Sequence, residues 1–214
     1  MINQWDMLVL PTTLIANGGF MLKSLLTTTA AAALLSTSVF AADWTLDSER
    51  STLHFVSVKN DTIAEIHRFT ELSGEMNDGE LKVTVPVASI DTAIPIRNER
   101  MLEHLFNADE YASVTATATI PTEIYDIETA TGTLPVVVPM TVFIAGEAVE
   151  VDAALQVTKL DADHVVATTS QPVLINASEF KLVAGINKLQ EIAGLQAIDH
   201  VIPVTFTVQF SREN

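Results

Sequence analysis

Arg97 and Arg100, with Asn98 between them and His104 one turn further on, form a basic cluster in a chain that holds 11 Lys and Arg against 27 Asp and Glu. Guanidinium groups at that spacing suit charge-assisted hydrogen bonds to the polar head of a ligand, such as a quinone carbonyl or a phosphate. The alternative is structural. Arg97 and Arg100 would then pair with Asp91, Glu99, Glu103 or Asp109 and lock a loop, while His104 caps backbone carbonyls, and the acidic neighbours favour this second reading. Other chemistry finds less support. The five histidines stand at 54, 67, 104, 164 and 200, without the i, i+4 spacing of a helical metal site and without an H-E-x-x-H. His54 and His67 would meet only across two neighbouring strands, with an added acid to complete a site, so no metal is expected. With no Cys, disulfides, zinc ribbons, iron–sulfur clusters and thiol nucleophiles are excluded. There is no G-x-S-x-G, and the acid pairs Asp161/Asp163 and Glu147/Glu150 fall in expected hairpin turns as solvated faces. The eight Gly form no phosphate-cradling loop. No catalytic set is legible, and no enzymatic activity is expected.

The elements that position these residues are set by composition and pattern. The 214 residues suit one ordinary domain plus a targeting segment. At 48% apolar and 18% charged, the chain is too apolar for disorder. Aromatics are only 6%, so the core must be built mostly from Val, Ile, Leu and Ala. A net charge of −16 and a pI near 4.4 repel phosphate backbones and anionic membrane surfaces, which argues against nucleic acid and against adhesion to lipid headgroups. The same charge keeps a β-protein soluble and discourages edge pairing.

Residues 1–20 resemble no domain and read as an extension upstream of a start at Met21. Met21-Leu22-Lys23, an apolar run from Leu25 to Leu35, and Val39 and Ala41 at the −3 and −1 places give a cleavable secretory signal over 21–41. The domain is expected over 42–214, in the periplasm. No later run approaches the roughly 18 apolar residues of a membrane span, so no stable membrane anchor is expected.

From there, period-two alternation dominates. Leu53, Phe55 and Ser57 alternate with His54, Val56 and Val58, and Val83, Val85 and Val87 with Thr84 and Pro86. Val114, Ala116, Ala118 and Ile120 alternate with threonines, as do Val204, Phe206, Val208 and Phe210 with Thr205, Thr207 and Gln209. This is the pattern of antiparallel strands with one wet face. Turns are predicted at Asn77-Asp78-Gly79, between strands around 69–73 and 81–87, at Ala145-Gly146-Glu147 and at Asp161-Ala162-Asp163. About eight strands suggest a barrel or sandwich. Two stretches read helical. One is Ile96–Phe106. The other is Asn176–Leu195, capped by Asn176 or Ser178 and ended by Gly194, where the mid-helix Gly185 suggests a close backbone approach.

Together these landmarks resemble the YceI-like family. Trp44-Thr45-Leu46-Asp47 and Ser51-Thr52-Leu53-His54-Phe55 are similar to its first strand, and His67-Arg68-Phe69 followed by Leu72-Ser73-Gly74 to its R-F-x-x-F-x-G strand. Ala88-Ser89-Ile90-Asp91-Thr92 matches A-S-I-D-T. Arg97-Asn98-Glu99-Arg100-Met101 with His104-Leu105 resembles the R-D-x-H-L helix, and Asn107-Ala108-Asp109-Glu110-Tyr111 stands at S-x-D-F-F. The likeness runs from Asp43 to Phe210. Departures are Ala93 in place of the family's Gly, Tyr111-Ala112 in place of Tyr-Pro, and a slim strand Thr115-Ala116-Thr117-Ala118 without the family's aromatic, which would widen a lumen there.

The resemblance implies a mainly β fold, a lipocalin-like antiparallel eight-stranded β-barrel with one or two short helices. It implies a non-catalytic protein that sequesters or carries a polyisoprenoid or similar amphiphilic lipid, with no cofactor besides that ligand. The expected lining is Phe55, Phe69, Val85, Leu102, Leu105, Phe106, Val142, Phe180, Ile186, Leu189 and Phe206, with Arg97, Arg100 and His104 toward a head group. The competing reading is an interaction module in which these side chains fill a packed core and the acidic surface meets a basic partner. A monomer and a homodimer both stay open.

Overall fold

The computed structural model describes residues 44–121, 124 and 132–212. The expected extension over 1–20 and signal over 21–41 lie outside the described residues.

The alternating segments form eleven strands: β1 (Trp44–Lys59), β2 (Ile63–Phe69), β3 (Ser73–Asn77), β4 (Glu80–Pro86), β5 (Ile90–Asp91), β6 (Ser113–Thr119), β7 (Thr133–Ile144), β8 (Glu147–Lys159), β9 (His164–Thr169), β10 (Val173–Asn176) and β11 (Val201–Ser211). All pairings are antiparallel. They run β11-β9-β8-β7-β6-β4-β3-β1, and β1 pairs back with β11 through Thr45↔Ser211 to Phe55↔Val204, so eight strands close a barrel. The remaining three strands continue bent staves. β2 prolongs β3 along β1, β5 prolongs β4 along β2, and β10 prolongs β9 along β11. The strand expected to run unbroken through 69–73 is therefore split at Thr70–Leu72. Opposite that break β1 bulges between Asp47 and Thr52. Buried Ser51 closes the bulge: its Oγ donates to the Asp47 carbonyl at 2.6 Å and accepts the Gln209 N–H at 3.1 Å. Such bulges bend a strand enough for a small sheet to close on itself.

Turn chemistry agrees with the sequence. Asp78 and Gly79 take φ of 49° and 84°, and Ala145 and Gly146 take 47° and 94°, the paired positive values that a tight hairpin twist requires.

The first expected helix is present over its full length, with a change of type, and the second is shorter than expected. The first, α1 (Pro95–Met101), starts with Pro at its first turn and passes into a wider π turn, Leu102–Phe106, ended by Asn107 at φ 47°. The second, α2 (Val183–Ala193), begins well after Asn176. Asn176 is claimed by β10, which pairs with Val201, and Lys181 at φ 55° interrupts any earlier helix. Between them the chain buries Ala177 (0% exposed) and Phe180 (1%), so Phe180 is a structural anchor and not part of a helical stripe. Gly194 does end α2, at φ 64°. No helix among the described residues is long and apolar enough to cross a membrane.

Candidate functional site

The inward side chains do not meet at the barrel axis. They surround a cavity of about 610 Å³, within the range of small-molecule sites and far above the voids of a packed core. The alternation explains the wall. β11 contributes Ile202, Val204, Phe206, Val208 and Phe210, β1 contributes Leu53 and Phe55, and the slim β6 contributes Val114 and Ala116. Ala116 faces Val142 across the β6–β7 ladder, two small side chains where larger ones would fill the lumen.

α1, the π turn and α2 cover part of this interior. α2 lies tight against the π turn because Gly185 has no side chain. A Cβ there would stand 2.4 Å from the His104 carbonyl oxygen and 3.0 Å from Leu105 Cα. Leu105, Phe106, Ile186 and Leu189 all reach the cavity from this layer. Ile94 and Ile96 also line it, yet are 43% and 50% exposed, so the cavity wall and the outer surface meet at the start of α1.

The two ends differ in chemistry. At one, Arg212 lies over the Trp44 ring at 5.1 Å and its Nε donates to Asp163 at 3.1 Å, closing the barrel with a stacked cation. At the other, beside the β1–β2 hairpin, polar groups face inward. Lys59 Nζ and Arg97 Nη1 converge on Glu65 Oε2 at 2.7 and 2.8 Å, and Arg97 Nη2 donates to the Thr92 carbonyl. Hydrogen bonding from Lys59 holds the Glu65 carboxyl below its ordinary pKa, with the charges of Arg97 and Lys59 acting the same way. His67, 4% exposed, shares a 2.8 Å hydrogen bond with Ser57 through Nε2 and packs against Phe55 at 5.1 Å. Burial, with the Arg97 charge next, pushes the His67 pKa down, so the ring is neutral near pH 7. Two buried atoms here have no partner, His67 Nδ1 and Arg97 Nε.

Asn98 fixes the loop that carries Arg97. Its Oδ1 accepts from Thr92 N at 3.1 Å and Thr92 Oγ1 at 2.6 Å. Arg97 therefore does hold a loop, but its carboxylate partner is Glu65, not Asp91, Glu99, Glu103 or Asp109. Asp91 is taken by Arg68, its neighbour in the β2–β5 register, at 2.9 and 3.1 Å. Arg100 lines the cavity half-buried and makes no hydrogen bond or ion pair among the described residues. His104 does not reach the lumen; its ring lies 3.7 Å from Glu103 and its carbonyl abuts Gly185. Of the expected lining, Phe55, Phe69, Val85, Leu105, Phe106, Val142, Ile186, Leu189 and Phe206 face the cavity. Leu102 and Phe180 do not: Leu102 packs on the core outside the cavity wall, and Phe180 is fully buried away from it.

Sequence reasoning missed Ser57, Lys59, Glu65 and His67 as a set. The signal was present: 53, 55, 57 and 59 share one face of β1, and the register places 65, 67 and 69 opposite. The same register separates His54, paired with Arg68 on the outer face, from His67, so the two histidines do not meet. Among the described residues no three His, Asp or Glu gather as a metal site.

A family model for the YceI-like domain matches residues 44–210. This chain belongs to that family. Its fold is also found in solved structures. A polyisoprenoid binding domain from Saccharophagus degradans, implicated in plant cell wall breakdown, is 30% identical over 81% of this chain and all of its own, with a TM-score of 0.78. Burkholderia cenocepacia BcnA shares the fold at 20% identity and a TM-score of 0.54, over 77% of this chain and 98% of its own. A search of curated proteins found no match. In this YceI-like domain Ala93 occupies the place where the family pattern has glycine, and it takes φ 60°, a left-handed conformation that glycine adopts freely. The Asp91 carboxylate accepts its N–H at 2.9 Å, and that bond, with the Arg68 pair, holds the Asp91 pKa down.

Proposed function

We propose that this YceI-like domain binds an amphiphilic lipid of the polyisoprenoid class, with the hydrocarbon chain inside the barrel and the polar head at the Arg97–His67 end. The cavity of about 610 Å³, apolar along its length and with Lys59, Glu65, His67 and Arg97 gathered at one end, carries this reading. Each buried CH₂ contributes about 0.8 kcal/mol, so three isoprene units gain roughly 12 kcal/mol before the association cost of about 4–15 kcal/mol. The chain alone therefore offsets all but the upper part of that cost. The 30% identical polyisoprenoid binding domain supports the ligand class. The interaction-module reading needs a solid centre, which a cavity of this size does not provide.

The proposed role is carriage or sequestration in the periplasm, following the expected signal over 21–41. The ligand gains access between the start of α1 and the barrel rim, where Ile94 and Ile96 are both lining and exposed. The Ser57–His67 pair brings a hydroxyl and an imidazole together, which the sequence did not reveal. A binding role fits them better than acyl transfer, since His67 Nδ1 lacks the carboxylate that would orient the ring as a base. The test is extraction and mass spectrometry of lipid from gently purified protein, together with uptake of prenyl lipids by delipidated protein. A prenyl lipid recovered intact supports the proposal. A protein that is empty and takes up none refutes it.

A further inference from the structure

The outward positions of the barrel strands carry charges on some staves, as Glu150 and Asp152 on β8 and Glu80 and Lys82 on β4 do. Across β2, β1, β11 and β10, at the end that holds the β1–β2 hairpin, they are aliphatic. Phe55, Ser57, His67, Ile175 and Val204 line the cavity and so set the parity of these strands. Val56, Val58, Ile66, Leu174, Val201 and Pro203 therefore point outward. Register makes them neighbours. Val56 pairs with Ile66 and Leu174 with Pro203, while Phe55 and Val173 flank Val204 from either side. Ile66 is 73% exposed and Leu174 60%, and Val201 is exposed as well. In a chain with 27 Asp and Glu, no acid stands at an outward position within this face. Asp91 at its edge is matched by Arg68, and Asp61 and Asp199 lie past the strand ends.

Size and place decide what covers this face. Four strands about 4.8 Å apart, with two outward rows about 7 Å apart, make an area of roughly 300 Å². A stable contact between two proteins takes roughly 800 Å² from each, so the face is too small to hold a second copy by itself. Arg97 ties the start of α1 to Glu65, the residue beside Ile66 on β2. The face thus runs on to the rim, where Ile63 is exposed and where Ile94 and Ile96 both line the cavity and meet the outer surface. A protein seated here would stand over that entrance. A lipid surface would instead bring hydrocarbon to it, and aliphatic side chains without carboxylates among them can enter the acyl boundary.

We propose that this face docks the domain reversibly on an electroneutral lipid bilayer, with Ile66 and Leu174 entering the acyl boundary. The choice of a lipid occupant rests on the reading of the cavity as a lipid site. Because the chain carries a net charge of −16, the contact is apolar, and anionic lipid weakens it in a way that salt relieves.

Flotation of the purified protein with phosphatidylcholine vesicles, alone and with added phosphatidylglycerol, tests this. The wild type should float with phosphatidylcholine, float less when phosphatidylglycerol is added at low salt, and recover as salt is raised. Ile66→Asp and Leu174→Asp should each lower the partition about tenfold or more, the scale of withdrawing one aliphatic side chain from hydrocarbon. Val137→Asp charges a comparably exposed aliphatic on β7, outside the face, and should leave flotation unchanged. All four proteins share the same N-terminus, so residues 1–43 contribute equally to each. A wild type that does not float, or Ile66→Asp and Leu174→Asp proteins that float as it does, would overturn the docking. So would a preference for the anionic vesicles. A wild-type dimer in analytical ultracentrifugation that Ile66→Asp dissolves would assign the face to a second copy and overturn it too. Flotation needs no passenger in the barrel. Intact flotation with no prenyl-lipid uptake would therefore refute the cavity reading and leave the docking standing.

Discussion

Replacing Gly185 by alanine should destabilise the domain, although alanine is the better helix former. In an exposed helix interior the change would stabilise by about 1 kcal/mol. Here the new methyl would lie 2.4 Å from the His104 carbonyl oxygen and 3.0 Å from Leu105 Cα, and both are backbone atoms that cannot turn aside as a flexible side chain would. α2 must therefore move off the π turn, loosening the packing of two elements that line the cavity through Ile186 and Leu189 and through Leu105 and Phe106. Overpacking of this kind costs roughly 1–3 kcal/mol. The 2.4 Å approach to backbone puts the cost at the upper end of that range, so that against the propensity gain a net loss of about 2 kcal/mol is expected, or a fall in Tm of roughly 4–8 °C for a domain of this size. Urea denaturation of wild type and variant measures the free energy, and calorimetry the Tm. Release of a loaded prenyl lipid should also quicken, because α2 forms part of the cover. A variant as stable as the wild type, or more so, would refute the tight seating of α2 and the covering role built on it.

Ala93→Gly should stabilise by about 1 kcal/mol, since it relieves a left-handed residue at φ 60°; chemical denaturation would show the change, and an unchanged or lower midpoint would count against the strained turn. Ala116→Phe should fold and lose lipid capacity, because the ring projects toward Val142 into space that is otherwise open; native mass spectrometry would show an empty barrel, and a normally loaded one would contradict the cavity's position. Glu65→Gln should flatten the acid limb of the stability profile. The folded carboxyl titrates below its ordinary 4.5, so its contribution is present above that pH and fades as pH falls further; melting curves from neutral pH downward should therefore converge for the two proteins in acid, and parallel curves would speak against the Lys59–Glu65–Arg97 cluster.

Much of the fold was legible because antiparallel strands write their two faces into the chain. The period-two runs at 53–58, 83–86, 114–119 and 204–210 each became strand, and Asn77-Asp78-Gly79 and Ala145-Gly146 became tight turns, with Asp78, Gly79 and Gly146 at positive φ values that suit those residues. Gly185 was readable as a point of close approach for the same local reason, since a glycine inside an apolar helix is unfavourable unless something lies against it. The start of the second helix was less legible. Phe180, Leu182 and Val183 carry helical spacing, but the pairing of β10 with β11 extends through Asn176↔Val201, and Lys181 breaks the run. Arg97 was recognised as a functional or loop-locking cation, yet its partner Glu65 lies 32 residues upstream on another strand, beyond any local pattern.

By itself the sequence determined antiparallel strands with an aliphatic inner face, a strongly acidic composition and a basic cluster at 97–100, since alternation, turn chemistry and charge are properties of neighbouring residues, while the choice of a barrel over a sandwich came from the family resemblance. Tertiary structure alone decided that the interior stays open and that Ser57, Lys59, Glu65, His67 and Arg97 share one end of it. Whether inward side chains touch depends on the radius at which the barrel closes, and which polar groups meet depends on strand register. Both are fixed only when the first strand finds the last, Phe55 beside Val204, at the far ends of the chain.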